Sequence, residues 1–127
     1  MILILDGSRF DDITGFYSEI NRVFMANETW RLGESLDALD DMLRGGYGAL
    51  HDTDTATLHW LHFDKSRHDL GYAATRGWLQ AKLNRPGFDR GHIQAQLEAL
   101  ERGEGQTYFD IILHIIAEHP HIRLKAM

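Results

Sequence analysis

Three short apolar runs, set far apart in the chain, constrain its fold more than any other feature. Met1-Ile2-Leu3-Ile4-Leu5 is continuously apolar and stops at Asp6-Gly7. Such a run reads as a strand buried in a parallel sheet. Ala56-Thr57-Leu58-His59-Trp60-Leu61-His62-Phe63 is rich in aromatic and β-branched residues and reads as a second strand. Ile122-Arg123-Leu124-Lys125 is a short third strand. The stretches between them carry helical periodicity, so no hairpin joins the strands. Strand, helices, strand, helices, strand predicts parallel pairing through crossovers: an α/β fold with a small three-stranded parallel sheet packed by helices.

The helical stretches are marked by spacing and by their ends. Asp11 or Asp12 can cap a helix in which Ile13, Phe16, Tyr17, Ile20, Val23 and Phe24 share a stripe, up to about Met25. Ala26 to Leu32 is a connection. Leu70, Ala74, Trp78 and Ala81 predict a helix that ends at Asn84-Arg85-Pro86-Gly87. Ile93, Leu97 and Leu100 predict another, closing at Arg102-Gly103-Glu104-Gly105. Thr107-Tyr108-Phe109-Asp110 has the pattern of a capping box. Phe109, Ile112, Leu113 and Ile116 come next, with Ile111 and Ile115 widening the apolar surface, and His119-Pro120 stops the helix.

Trp30 to Gly45 is the most informative segment. Gly33 suits a tight turn, Ser35 is a suitable N-cap, and Leu36, Leu39 and Leu43 form an apolar stripe over about ten residues. Gly45 and Gly46 end the helix. Glu34, Asp37 and Asp41 repeat at i, i+3 and i+7 on the opposite side, with Asp40 beside them. Asp37 and Asp41 repel each other by a few tenths of a kcal/mol. Asp37 recovers part of that from the helix N-terminus, and Arg44 can pair with Asp40 or Asp41. A solvated acidic face and an acidic plug for a cationic partner are both consistent with this pattern. Gly45-Gly46-Tyr47-Gly48 is not a phosphate loop, because no strand precedes it and no Gly-Lys-Ser/Thr comes after it. It reads as helix termination and a mobile turn, with Tyr47 a candidate interface anchor.

Charge narrows the partners. Residues 1 to 54 carry eleven Asp and Glu against four Arg and Lys, a net of −7. Residues 55 to 127 carry eight against nine, a net of +1. A negative field on the half that holds the acidic helix argues against nucleic acid, which needs a basic footprint. It favours a basic protein partner. At 127 residues the chain suits one domain, burying roughly two-thirds of its unfolded surface. It has no cysteine, no long apolar run and no basic leader before an apolar segment, so a cytoplasmic protein without membrane span is expected.

The segment Gly33-Glu34-Ser35-Leu36-Asp37-Ala38-Leu39, then Asp41, Leu43 and Gly45, resembles the signature of the barstar family, intracellular inhibitors of the ribonuclease barnase. Leu58-His59-Trp60, with Phe63, Ser66, Arg67 and Leu70, is a second block, similar to that family's second strand and the segment after it. The resemblance implies a barstar-like three-stranded parallel sheet, no cofactor, and inhibition rather than catalysis. It implies that the loop and acidic helix enter a ribonuclease active site where RNA phosphates would sit. Asp37 and Asp41 match the family's inhibitory aspartates, and Gly33 matches the glycine of its contact loop. About His68 to Gln106 is longer than the family's corresponding segment and is expected as a helical insertion in a single domain spanning residues 1–127.

Three flanking positions depart from the family pattern. Arg31 and Asp40 stand where the family carries aromatics, and His114 stands where its final helix has a ribonuclease-contacting glutamate. Trp30 can replace one lost aromatic by a shift of one or two residues. The partner implied is a small basic ribonuclease or ribonuclease toxin, with the chain as its immunity protein or antitoxin. An acidic adaptor without a nuclease target is the alternative within the binding class. A metal-binding protein or hydrolase built on the eight histidines is the rival from another class. No His-Glu-x-x-His or Gly-x-Ser-x-Gly supports that rival. His114, His119 and His121 are expected to point in different directions.

Overall fold

The central strand β2 (Ala56–Leu61) pairs in parallel with β1 (Ile2–Asp6) on one side and β3 (Ile122–Ala126) on the other. The computed structural model describes residues 1–127. Leu3 lies opposite Leu58 and Leu5 opposite Trp60, while Leu58 lies opposite Leu124. Alternate residues point to opposite faces, so these five share the face that the helices cover.

The other face is open. Ile2 is 62 % exposed and Ile4 50 %, and Arg123 and Lys125 stand exposed on β3. The expectation that Met1–Leu5 is a buried strand therefore holds only for the face that carries Leu3 and Leu5. A continuous apolar run is the mark of a doubly covered strand, but here the helices lie on one side only.

Six α-helices, α1 (Ile13–Phe24), α2 (Leu36–Leu43), α3 (Phe63–Asp69), α4 (Tyr72–Leu83), α5 (Arg90–Glu101) and α6 (Tyr108–Ala117), and two 3-10 turns, Gly7–Arg9 and Gly48–Leu50, complete the chain. Asp12 caps α1 by accepting the Gly15 N–H at 2.7 Å. Thr107 and Asp110 form the reciprocal capping box at the start of α6, at 3.2 and 3.0 Å. Such a cap contributes about 1 kcal/mol.

The predicted second strand overran. It ends at Leu61, His62 turns left-handed with φ 55°, and Phe63 opens α3. The turn is held because the Trp60 indole N–H donates to Ser66 Oγ at 2.9 Å, a buried bond from the strand to the next helix. Trp60 is wholly buried. Phe16 stacks on it at 6.0 Å, and Phe63 and Phe109 meet it edge-on at 5.4 Å. Truncating such a residue to alanine costs about 3–5 kcal/mol.

Tyr17 of α1 and Tyr108 of α6 join their hydroxyls at 2.6 Å, and burial pushes both phenols up, so both stay neutral. Leu79, Ile93, Leu97 and Leu100 form a smaller second core between α4 and α5, with Trp78 and Leu83 packed against it.

Candidate partner-binding surface

The connection from Ala26 to Ser35 is anchored before it reaches α2. Asn21 is buried on α1. Its amide nitrogen donates to the carbonyls of Tyr17 (2.9 Å) and Leu32 (3.1 Å), and its oxygen accepts the Leu32 N–H at 2.7 Å. The Thr14 hydroxyl donates to Glu34 Oε1 at 2.7 Å, and the Ser35 N–H closes onto the Gly33 carbonyl at 3.0 Å. Gly33 itself needs no special backbone. Its φ lies outside the left-handed region, and an added Cβ would meet nothing within 4 Å. The expected turn exists, but the chain's own geometry does not require glycine to make it.

Ser35 then caps α2 by accepting the Ala38 N–H at 3.2 Å. Helix α2 buries Leu39, Met42 and Leu43. The apolar stripe is thus rotated from the predicted one: Met42 joins it and Leu36 is only half-buried. Asp37 and Asp41 point outward, both exposed. Asp37 lies in the first turn, where the helix dipole favours a negative charge. Glu34 lies before the N-cap, on the turn rather than on the helix face.

The end of α2 is gripped from two sides. Arg44 reaches Asp40 at 3.3 Å and Asp41 at 3.8 Å. From the turn before β3, His119 Nε2 meets Asp40 Oδ1 at 2.7 Å, and the His121 ring N–H donates to the Leu43 carbonyl at 3.0 Å. The His119 hydrogen bond, with Arg44 beside it, holds the Asp40 carboxyl below its ordinary range. His119 and His121 therefore converge, their rings 5.8 Å apart. This corrects the expectation that they point apart: one contacts a side chain and the other the backbone of the same helix end. His114 is separate, exposed on α6 and paired with the Gln106 amide nitrogen at 2.7 Å.

Two aromatics flank the acidic helix. Trp30, 46 % exposed, packs against Tyr47 with ring centres 4.8 Å apart. Partial burial and the nearby Asp41 carboxylate push the Tyr47 phenol up. Of the glycines around Tyr47, Gly46 is exposed with open space about it, whereas Gly48 is closely packed. Gly48 has φ +75°, and a Cβ there would lie 2.8 Å from the Phe24 carbonyl oxygen. Arg31 is exposed.

The anchoring roles of Asn21 and of His119 toward Asp40 escaped the sequence reading. Asn21 carried a signal, since a polar residue beside Tyr17, Ile20 and Phe24 on a buried stripe needs partners. His119 carried none, because its partner lies 79 residues away. No group of three or more His, Asp or Glu side chains is placed to hold a metal ion, and no helix is long and apolar enough to cross a membrane.

These features define a small α/β protein with an acidic, capped helix at its surface, contacted by side chains at both ends. A family model described as Barstar (barnase inhibitor) matches residues 1–85, two-thirds of the sequence, and the chain belongs to that family. No curated protein matches it, nor does any solved structure. The family match runs through α3 and α4, so the family likeness does not break off at His68. Helices α5 and α6 and strand β3 lie beyond the matched residues.

Proposed function

We propose that this protein inhibits a small basic ribonuclease by seating the Trp30–Ser35 loop and α2 in its active site. Asp37 and Asp41 take the places of RNA phosphates and pair with the arginines, lysines or histidine that would bind them. The observation that carries this reading is the exposed Asp37–Asp41 pair, one helical turn apart, on a helix tied down at both ends. Preorganisation of this kind lowers the entropy lost on binding. Glu34 adds negative charge at the loop, and the bare Gly33 lets the partner's backbone come close. Trp30 and Tyr47 supply aromatic contact beside Asp41. Arg31, Asp40 and His114 mark flanks where recognition differs from the family pattern, Asp40 being engaged by His119 and Arg44. In the cell such an inhibitor serves as the immunity protein or antitoxin of a ribonuclease toxin, acting in the cytoplasm.

The test is a steady-state assay on barnase and other small basic ribonucleases, with RNA titrated against the inhibitor. Competitive inhibition is expected. Asp37→Asn and Asp41→Asn should weaken it non-additively, because two carboxylates that share one cation cluster are coupled. Purely non-competitive inhibition overturns phosphate mimicry. Binding to basic proteins without inhibition of any ribonuclease would identify an adaptor instead.

A further inference from the structure

A groove opens beside the N-terminal end of α2, walled on the far side by the end of α4 and the connection to α5. Glu34 and Asp37 line one wall, and Trp78, Lys82, Arg85 and Phe88 line the other. The Lys82 ammonium sits 3.8 Å from the centre of the Trp78 ring and 5.4 Å from that of Phe88. It forms no salt bridge within the chain. Burial pushes its pKa down, and Asp37 opposes this only through space. Arg85 is exposed next to it, and Phe88 is 43 % exposed. The two rings offset part of the Lys82 charge, and Asp37 does so through space; with no salt bridge made, the ammonium can still pair with an incoming carboxylate.

The position of this site limits its occupant. It adjoins Asp37, so whatever faces Asp37 also faces Lys82. The cations that Asp37 would meet in a ribonuclease active site would repel Lys82 and Arg85 at this range. Glu34 and Asp37 offset part of that repulsion from the opposite wall, and a partner carboxylate set beside those cations would offset the rest by pairing with Lys82. Phe88 also stands beyond the residues shared with the family, so this wall is completed by a part of the chain that the family match does not reach.

We propose that this groove is a second contact for the ribonuclease and takes an Asp or Glu side chain from the rim of its active site against Lys82. The proposal rests on the inhibitor reading above and adds a specificity determinant to it. The inhibitor then reads a charge pattern of both signs: cations at Asp37 and Asp41, a carboxylate at Lys82. Ribonucleases with a basic centre and no acidic rim at this place would bind more weakly.

The experiment measures inhibition constants for wild type, Lys82→Gln, Lys82→Glu and Asp37→Asn against barnase and a panel of small basic ribonucleases. For each ribonuclease that wild type inhibits tightly, Lys82→Gln should raise the constant about tenfold and Lys82→Glu further. Carbodiimide treatment of the wild-type complex should join Lys82 to an Asp or Glu of the ribonuclease, mapped by mass spectrometry. This arm needs no variant and decides the matter even if Lys82→Glu misfolds. Changing that acidic residue to Lys should restore binding to Lys82→Glu. Constants within about twofold of wild type for both Lys82 variants, with Asp37→Asn weakened and no Lys82 cross-link, overturn the groove and leave the inhibitor reading standing. No inhibition of any ribonuclease by wild type overturns both.

Discussion

His119 Nε2 and Asp40 Oδ1 lie 2.7 Å apart across 79 residues of chain, and this contact fixes the last turn of α2 to the approach of β3. Helix α2 has eight residues, too few to be stable alone in water. It persists because Ser35 caps it, because Leu39, Met42 and Leu43 are buried, and because His119 and His121 hold its end. The outward direction of Asp41 depends on all three.

Removing the histidine should be felt in the fold. His119 is 10 % exposed at its side chain and Asp40 29 %, so His119→Ala leaves a partly desolvated carboxylate with only Arg44. A loss of about 1–3 kcal/mol is expected, read from urea denaturation. His119→Gln, which can still donate to Asp40, should lose less. Equal losses from the two variants would make the contact one of shape rather than hydrogen bonding.

Acid should act through the same pair. The Asp40 carboxyl is held below its ordinary value of 3.8, first by His119 and then by Arg44. A carboxyl depressed in the folded state stabilises the fold fully above its unfolded value, and the gain disappears as pH falls through the folded value. Stability should therefore decline below about pH 4. Asp40→Asn should show a shallower decline over that window, measured by denaturation at fixed pH steps.

Asp41→Ala should separate folding from binding. Asp41 and Arg44 are both 64 % exposed at their side chains and 3.8 Å apart, and such pairs add little to stability. The melting temperature should move by no more than about 0.5 kcal/mol of stability implies. Affinity for the ribonuclease should fall by at least about 2 kcal/mol, the general threshold for an interface hot spot, of which a barstar aspartate is itself a known instance. Unchanged affinity would exclude α2 as the plug.

Association should be sensitive to salt. The −7 charge of residues 1–54 steers a basic partner, and salt screens that attraction. Stopped-flow measurements should show kon falling markedly from low to physiological ionic strength, while koff changes less. A flat kon would indicate an apolar interface.

Asn21→Ala should loosen the loop that leads into α2. It removes two bonds to the Leu32 backbone and one to the Tyr17 carbonyl, all buried. Stability should drop by about 2–4 kcal/mol, and hydrogen exchange should rise at Leu32. Protection at Leu32 equal to wild type would show that the loop is held by other contacts.

Features whose causes are local were legible in the sequence. Asp12, Ser35 and the Thr107–Asp110 box each act within three residues, and all three caps formed. Phe63 was misread because strand and helix are both compatible with its side chain, and the left-handed turn at His62 is stabilised from Ser66. The bare face at Ile2 and Ile4 was illegible because hydrophobicity records what a residue would gain from burial, not whether a helix is available to bury it. At the acidic surface, the residues that face outward were readable. The clamp behind them and the groove wall opposite Asp37 join residues 79 and about 45 positions apart, and no local pattern records such pairs.

The span between Asp40 and His119 also sets an order of events during synthesis. The acidic helix is synthesised early, but the histidine that holds its end is added 79 residues later, roughly 4 to 16 s at ordinary rates of elongation. Through that interval β2 has no β3 beside it and α2 has no clamp. A nascent chain therefore carries Asp37 and Asp41 well before the contact that steadies the end of their helix can form.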